Sequence, residues 1–156
     1  MNDQDNELTP LYGTGWGFPM AFDLKPSSEH SGSRSPSSLV MSNGAANVAQ
    51  SLALLFQTQP GERMMRPEFG CDLHSSVFAN LSEGTLANLQ HKIAESVARN
   101  EPRADGVTVD VKVDPTQKGM LRICVYYQLM GRAQQVTGRL NLLDGASDGG
   151  SAWATL

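Results

Sequence analysis

Residues 83–113 read EGTLANLQHKIAESVARNEPRADGVTVDVKV, and within them the apolar spacing changes from helical to strand-like. Leu86, Leu89, Ile93 and Val97 recur three or four positions apart, which places them on one helical stripe. Ser82 can cap that helix by accepting a bond from an orphan N–H, and Leu81 with Leu86 forms a hydrophobic-staple pair across the cap. The predicted helix runs from Glu83 to about Arg99. It ends near Asn100 because Pro102 disfavours helical geometry at Glu101. Beyond it, Val107, Val109, Val111 and Val113 alternate with Thr108, Asp110 and Lys112, the pattern of a strand with one wet face.

Working outward, residues 114–119 (DPTQKG) form a turn, and a second strand follows. Leu121, Ile123, Val125, Tyr127 and Leu129 face one way on it; Arg122, Cys124, Tyr126 and Gln128 face the other. Gly131 lies in the next turn, and Val136, Leu140 and Leu142 mark a third strand over residues 135–143. Upstream, Ala45, Val48, Ala49, Leu52, Leu55 and Phe56 predict another helix from Gly44 to Gln57, capped by Asn43 or Ser42. The fold class is therefore α+β: a small antiparallel meander of about three strands, with an N-terminal segment, packed with two α-helices.

The ends are different. Residues 1–12 begin with an acidic, polar stretch (Asp3, Asp5, Glu7) and are expected as a tail. Residues 144–156 (DGASDGGSAWATL) are expected as a second tail with one aromatic, Trp153. Residues 13–143 make a single domain, interrupted by a Ser- and Pro-rich surface loop at 25–38. In residues 11–22, Tyr12, Trp16, Phe18 and Phe22 stand among Gly13, Gly15 and Gly17. Aromatics this dense need burial or a partner, and the glycines permit close backbone approach.

Composition narrows the function. The net charge of −4 and pI near 5.3 argue against nucleic-acid binding, which needs a basic stripe. The apolar run from Val48 to Phe56 is too short to span a bilayer, and the acidic N-terminus is no secretory signal. Synthesis in the cytoplasm is expected. Two cysteines, Cys71 and Cys124, make no disulfide framework or zinc spacing, and reduced thiols are expected, with a single bridge as the alternative.

Glu62, Glu68 and Glu101 invite a glycosidase reading, since that chemistry needs two carboxyls about 5–10 Å apart. The plainer reading is loop ion pairing, because Arg63, Arg66 and Arg103 lie adjacent or close by. Cys71 near His74 resembles a thiolate–imidazole pair only in sequence. His30, His74 and His91 show no ligand spacing, and no metal or other cofactor is implied. The Gly13-x-Gly15-x-Gly17 run fits neither phosphate motif. Three features exceed what a plain monomer needs: the aromatic segment, the bracketed loop at residues 60–70 (PGERMMRPEFG), and Glu101-Pro102-Arg103 just past a helix end.

On those residues the chain resembles the baseplate wedge and sheath-initiator family of contractile phage tails, a family often labelled lysozyme-like. Relatives occur in type VI secretion and in extracellular contractile injection systems. The resemblance rests on Gly15-Trp16-Gly17-Phe18-Pro19, the helix ending Leu54-Leu55-Phe56-Gln57-Thr58, Pro60-Gly61-Glu62-Arg63, Pro67-Glu68-Phe69-Gly70 and Glu101-Pro102-Arg103, and covers roughly residues 13–143. It implies a structural component at the junction of baseplate and sheath, with no catalysis of its own. Glu101, Pro102 and Arg103 would dock on the wedge's helical core. Strand exchange at the third strand (Val136, Leu140, Leu142) would start the sheath. Glu62, Arg63, Glu68, Phe69, Trp16 and Phe18 are further candidate contacts. The implied partners are other wedge proteins and the sheath subunit, with the central spike or tube hub as a further candidate. The alternative is a peptidoglycan glycosidase acting at the baseplate.

Overall fold

A computed structural model describes residues 9–23, 38–76, 82–117, 119–142 and 153–155. The backbone groups into two compact units, Met1–Gln50 and Ser51–Leu156, and the division falls inside one helix. Strands β1 (Thr14–Trp16), β2 (Phe22–Asp23), β3 (Ser38–Leu39) and β4 (Met41–Asn43) precede helix α1 (Gly44–Gln57). Helix α2 (Glu83–Asn100) is followed by β5 (Asp105–Val113), β6 (Met120–Leu129), β7 (Arg132–Asn141) and β8 (Trp153–Thr155).

In the first unit, β1 pairs antiparallel with β4, and β2 with β3. The glycines are structural requirements here. A Cβ on Gly15 would stand 2.6 Å from Asn47 Oδ1, and one on Gly17 would stand 2.9 Å from the Val40 carbonyl oxygen. The helix stitches the ribbon from the other side. Gln50 Nε2 donates to the Trp16 carbonyl at 2.7 Å, and its Oε1 accepts from Phe18 N–H at 3.0 Å. The expected cap of α1 is not made: Asn43 Oδ1 is buried without a partner, and Ser42 Oγ turns to Asn47 Oδ1. Asn43 is committed to β4, where it pairs with Thr14.

In the second unit the strand order is β5-β6-β7-β8, all antiparallel. The apolar face of β6 is buried in strict alternation from Leu121 to Leu129, as its pattern requires. Leu89, Ile93 and Val97 of α2 are buried, and so are Leu52, Leu55 and Phe56 of α1. Ser82 caps α2 by accepting from Thr85 N–H; Leu81, the other half of the expected staple, lies outside the described residues. Met130 and Gly131 both have positive φ, the two-residue turn whose twist suits a hairpin, and they join β6 to β7.

Two further expectations differ from the structure. The valine ridge of β5 is not uniformly buried: Val111 is 4% exposed, but Val113 is 45% exposed. A strand at a sheet edge has only one flanking strand, and Val113 is its last residue. The third strand, β7, is also not the last. Trp153–Thr155, expected within a tail, pairs with its outer side. Most of the 25–38 loop and of the 144–156 segment lies outside the described residues.

Candidate functional site

The corner after α2 is set by chain chemistry. Pro102 ends the helix, and Glu101 closes it by donating its N–H to the Val97 carbonyl. The Glu101 side chain then folds inward and is 3% exposed. A buried carboxylate needs partners, and Arg103 supplies a fork: its Nε lies 2.5 Å from Oε1 and its Nη2 2.6 Å from Oε2. Ser51 of α1 lies close enough to help hold the carboxyl's pKa down. Burial pushes the Glu101 carboxyl up, but the bonds from Arg103 and Ser51 and the guanidinium charge outweigh it and hold the pKa below its ordinary value. Beneath this pair, burial and then the charge of Glu101 raise the Tyr127 phenol to about 12, and its hydroxyl has no hydrogen-bond partner. Arg103, expected among the docking residues, thus has its Nε and Nη2 bonded to Glu101 of its own chain.

The bracketed loop is built just as tightly. Gly61 N–H donates to the Pro67 carbonyl at 2.8 Å, Cys71 N–H to Thr58 at 3.0 Å, and Gln59 N–H to Glu62 Oε2 at 2.9 Å. Gly70 lies at φ +127, where a Cβ would stand 2.4 Å from the Thr58 carbonyl oxygen, so only glycine closes the loop. Arg63 stacks over Phe69 at 3.9 Å, with Arg66 at 5.9 Å. The expected ion pairs of Glu62 and Glu68 with these arginines are not among the ion pairs of the described residues. A guanidinium, planar and weakly hydrated, gains by stacking on an aromatic face, which explains the choice. At the tip, Met64 and Met65 are 91% and 98% exposed, and Met65 holds a positive φ. Large apolar side chains thus stand out from a braced loop.

The N-terminal ribbon repeats that logic. Its backbone is fixed by Asn47 and Gln50, while Trp16, Phe18, Met20 and Phe22 are each more than half exposed. Of the two outcomes expected for these aromatics, burial is not the one that Trp16, Phe18 and Phe22 find among the described residues. On β7, Val136 and Leu140 are each 1% exposed. Their side chains belong to the chain's own core, so the strand offers a partner only its backbone edge.

A cleft of about 220 Å³ lies beside the loop, with Glu68, Asp72, Lys92 and Glu95 among its lining residues. Its acids are largely spent: Lys92 lies 3.9 Å from Asp72, and Arg99 lies 2.8 Å from Glu95. Burial raises the Asp72 carboxyl, but bonds from Ser75 and the nearby cations leave it below its ordinary value. Burial drives the Cys71 thiol up to about 12, so it makes no thiolate pair with His74. Both cysteines are free. Among the described residues no group of three His, Cys, Asp or Glu is placed to hold a metal ion, and no helix is long and apolar enough to cross a membrane.

Sequence reasoning found the loop, the ribbon and the corner but missed Met64 and Met65 as the exposed tip, although an adjacent Met pair between two arginines was a legible signal. It also missed Ser51, which nothing local connects to Glu101.

These elements define an α+β fold that carries an exposed loop tip and an exposed aromatic ribbon. The sequence profile described as baseplate wedge protein gp25 matches residues 42–134, more than half of the chain, and the chain belongs to that family. It is 36% identical over 68 residues to the baseplate wedge protein gp25 of Enterobacteria phage T4, a match covering 44% of this chain and 52% of that protein. The chain thus spans about half the length of the curated relative it matches. A chain of the anti-feeding prophage baseplate superposes with a TM-score of 0.62 at 33% identity, covering 77% of this chain and 86% of that one. A chain of the postcontracted pyocin R2 baseplate superposes at 0.51 and 28% identity, covering 70% and 98%. A Geobacter sulfurreducens protein assigned, provisionally, to the tail lysozymes superposes at 0.58 and 27% identity, covering 64% and 92%.

Proposed function

We propose that this chain is a structural wedge component of a contractile, phage-tail-like particle, made in the bacterial cytoplasm and built into the baseplate. There it joins the wedge to the first sheath ring and starts the sheath by strand exchange. The observation that carries the reading is the sheet edge. β7 is ten residues long, and among the described residues its outer side is paired at Val136, Thr137 and Gly138. A backbone edge of that kind binds an added strand through main-chain bonds. The preformed Glu101–Arg103 pair, the Met64–Met65 tip and the Trp16–Phe18 ribbon are the wedge-facing contacts, engaging other wedge proteins and the central spike or tube hub.

The glycosidase alternative finds less support. It needs a carboxyl held protonated near neutral pH, whereas Glu101 and Asp72 are both shifted the opposite way.

The test is co-purification of the sheath subunit with Ala133→Pro and Gln134→Pro, adjacent β7 positions whose side chains are not buried. Adjacent residues of a strand point their N–H groups to opposite sides, so one proline removes a β6 bond and the other only an outward donor. The variant that keeps the wild-type melting temperature should fail to recruit sheath. Normal-length sheath on that variant overturns the reading. Turnover of cell wall by the purified chain, lost in Glu62→Gln or Glu68→Gln, would establish the glycosidase instead.

A further inference from the structure

Residues paired across antiparallel strands stand side by side on one face of the sheet. On the wet face of the second unit's sheet, one such row is made of cations. Lys112 of β5 is the direct partner of Arg122 of β6, and Arg122 is the direct partner of Arg139 of β7. All three residues are exposed. Like charges directly opposite each other destabilise a sheet, and here two such contacts are consecutive. Two carboxylates answer them in part. Lys112 Nζ lies 2.7 Å from Asp110 Oδ2, and Arg122 Nη2 donates to Asp114 Oδ2 at 3.1 Å. Asp114 is buried, and its other oxygen is occupied by the N–H and hydroxyl of Thr116. Arg139 has no carboxylate among the ion pairs of the described residues. The row therefore holds one cation more than its acids answer, and that cation faces a second guanidinium.

We propose that Lys112, Arg122 and Arg139 form a docking site for an acidic segment of another protein, with a carboxylate of that segment seated between Arg122 and Arg139. Directly opposed positions put the two side chains about 5 Å apart at Cβ. Two planar forks rooted that close can each take one oxygen of the same carboxylate. The bound carboxylate also removes the repulsion between the guanidinium groups, so the strain of the free sheet becomes affinity for an anion. Peptide suits the row better than nucleic acid does. The next row along the strands is Asp110, Cys124 and Thr137, so the positive charge is one residue deep, and a phosphate backbone needs a longer basic stripe. That the partner is another protein of the particle rests on the function proposed above; the row itself does not, and failure to recruit sheath leaves it untouched.

The experiment uses the full chain and full chains carrying Arg139→Gln, Arg139→Glu or Arg99→Gln. The last removes the same charge from helix α2, where Arg99 pairs with Glu95. The probe is a fluorescein-labelled peptide of alternating Glu and Gly, followed by anisotropy at low ionic strength, with an oligothymidylate of the same charge as the comparison. Arg139→Gln should weaken peptide binding by about two- to fivefold, the range of an exposed charge pair. Arg139→Glu should weaken it by about tenfold or more, since it also places a carboxylate of its own beside Arg122. Arg99→Gln should bind like the wild type. A second readout separates docking from a structural role. Replacing Arg139 removes a like-charge contact, so Arg139→Gln should melt no lower than wild type, and Arg139→Glu about 1–3 °C higher. No binding of the peptide to the wild type, or equal binding by wild type and Arg139→Glu, overturns the proposal. So does an equal loss in Arg99→Gln, oligothymidylate binding as tight as the peptide, or a lower melting temperature in Arg139→Gln. Self-association of the wild type that Arg139→Glu abolishes would give the row to a second copy of this chain and overturn it as well.

Discussion

Replacing Arg103 with Ala isolates the central polar feature of the fold. Glu101 is 3% exposed and receives two bonds from that guanidinium. Without them the carboxylate keeps Ser51 but stays buried with most of its charge uncompensated. Breaking a fully buried pair costs about 3–5 kcal/mol. The Arg103 side chain is 32% exposed, so water screens part of that loss, and about 2–3 kcal/mol is expected. For a chain of this size that lowers the melting temperature by about 4–12 °C. Glu101→Gln should cost less, because the remaining arginine reaches water, and Arg103→Lys should fall between, keeping charge but not the fork. The pH dependence gives a second signature. In the wild type the folded pKa of Glu101 lies below the unfolded one, so its contribution is complete above the unfolded carboxylate pKa and fades as pH falls through the folded value. In Arg103→Ala burial dominates and the pKa rises, so the variant is penalised most near pH 7 and is partly relieved in acid. The assay is thermal unfolding by circular dichroism at about pH 7 and about pH 4.5, bracketing the carboxylate range. If Arg103→Ala melts within a degree or two of wild type at neutral pH, or if the gap widens in acid, the buried-pair argument fails.

Gly70→Ala should destabilise by about 3 kcal/mol or more, since its Cβ would collide with backbone at a left-handed φ. Gly61→Ala, strained in φ but with open space, should cost only about 1 kcal/mol; urea midpoints that rank them equally would contradict this account of the loop. Asp114 is held at about 2, first by the hydroxyl and N–H of Thr116 and then by Arg122. Its contribution is therefore complete above the unfolded carboxylate pKa and disappears as pH falls toward 2, so the stability gap between wild type and Asp114→Asn should close between pH 4 and pH 2. With its thiol pushed up to about 12 and 2% exposed, Cys71 should resist a thiol reagent at pH 8. The half-buried Cys124 should react first, and rapid modification of both in the native protein would count against the packing described.

What the sequence determined by itself is local. Helix α1 was legible because Val48, Leu52 and Leu55 repeat at helical spacing, and α2 because Ser82 caps it and Pro102 stops it. The sheet was legible because residues alternate along β5 and β6 and because Gly131 turns the chain between β6 and β7. Each of these signals acts between residues a few positions apart, so it survives without knowledge of the fold. Tertiary structure decided the rest. Ser51 and Arg103 converge on Glu101 from two elements about fifty positions apart in the chain, and no periodicity announces that meeting. Arg63 prefers the Phe69 ring to its neighbouring acid because the closed loop puts the ring within reach. Met64 and Met65 became the exposed tip only once backbone bonds had closed the loop beneath them. β8 pairs with β7 through backbone groups that every residue but proline carries. Main-chain pairing of so short a strand leaves almost no mark in the order of side chains, so only the folded sheet reveals it.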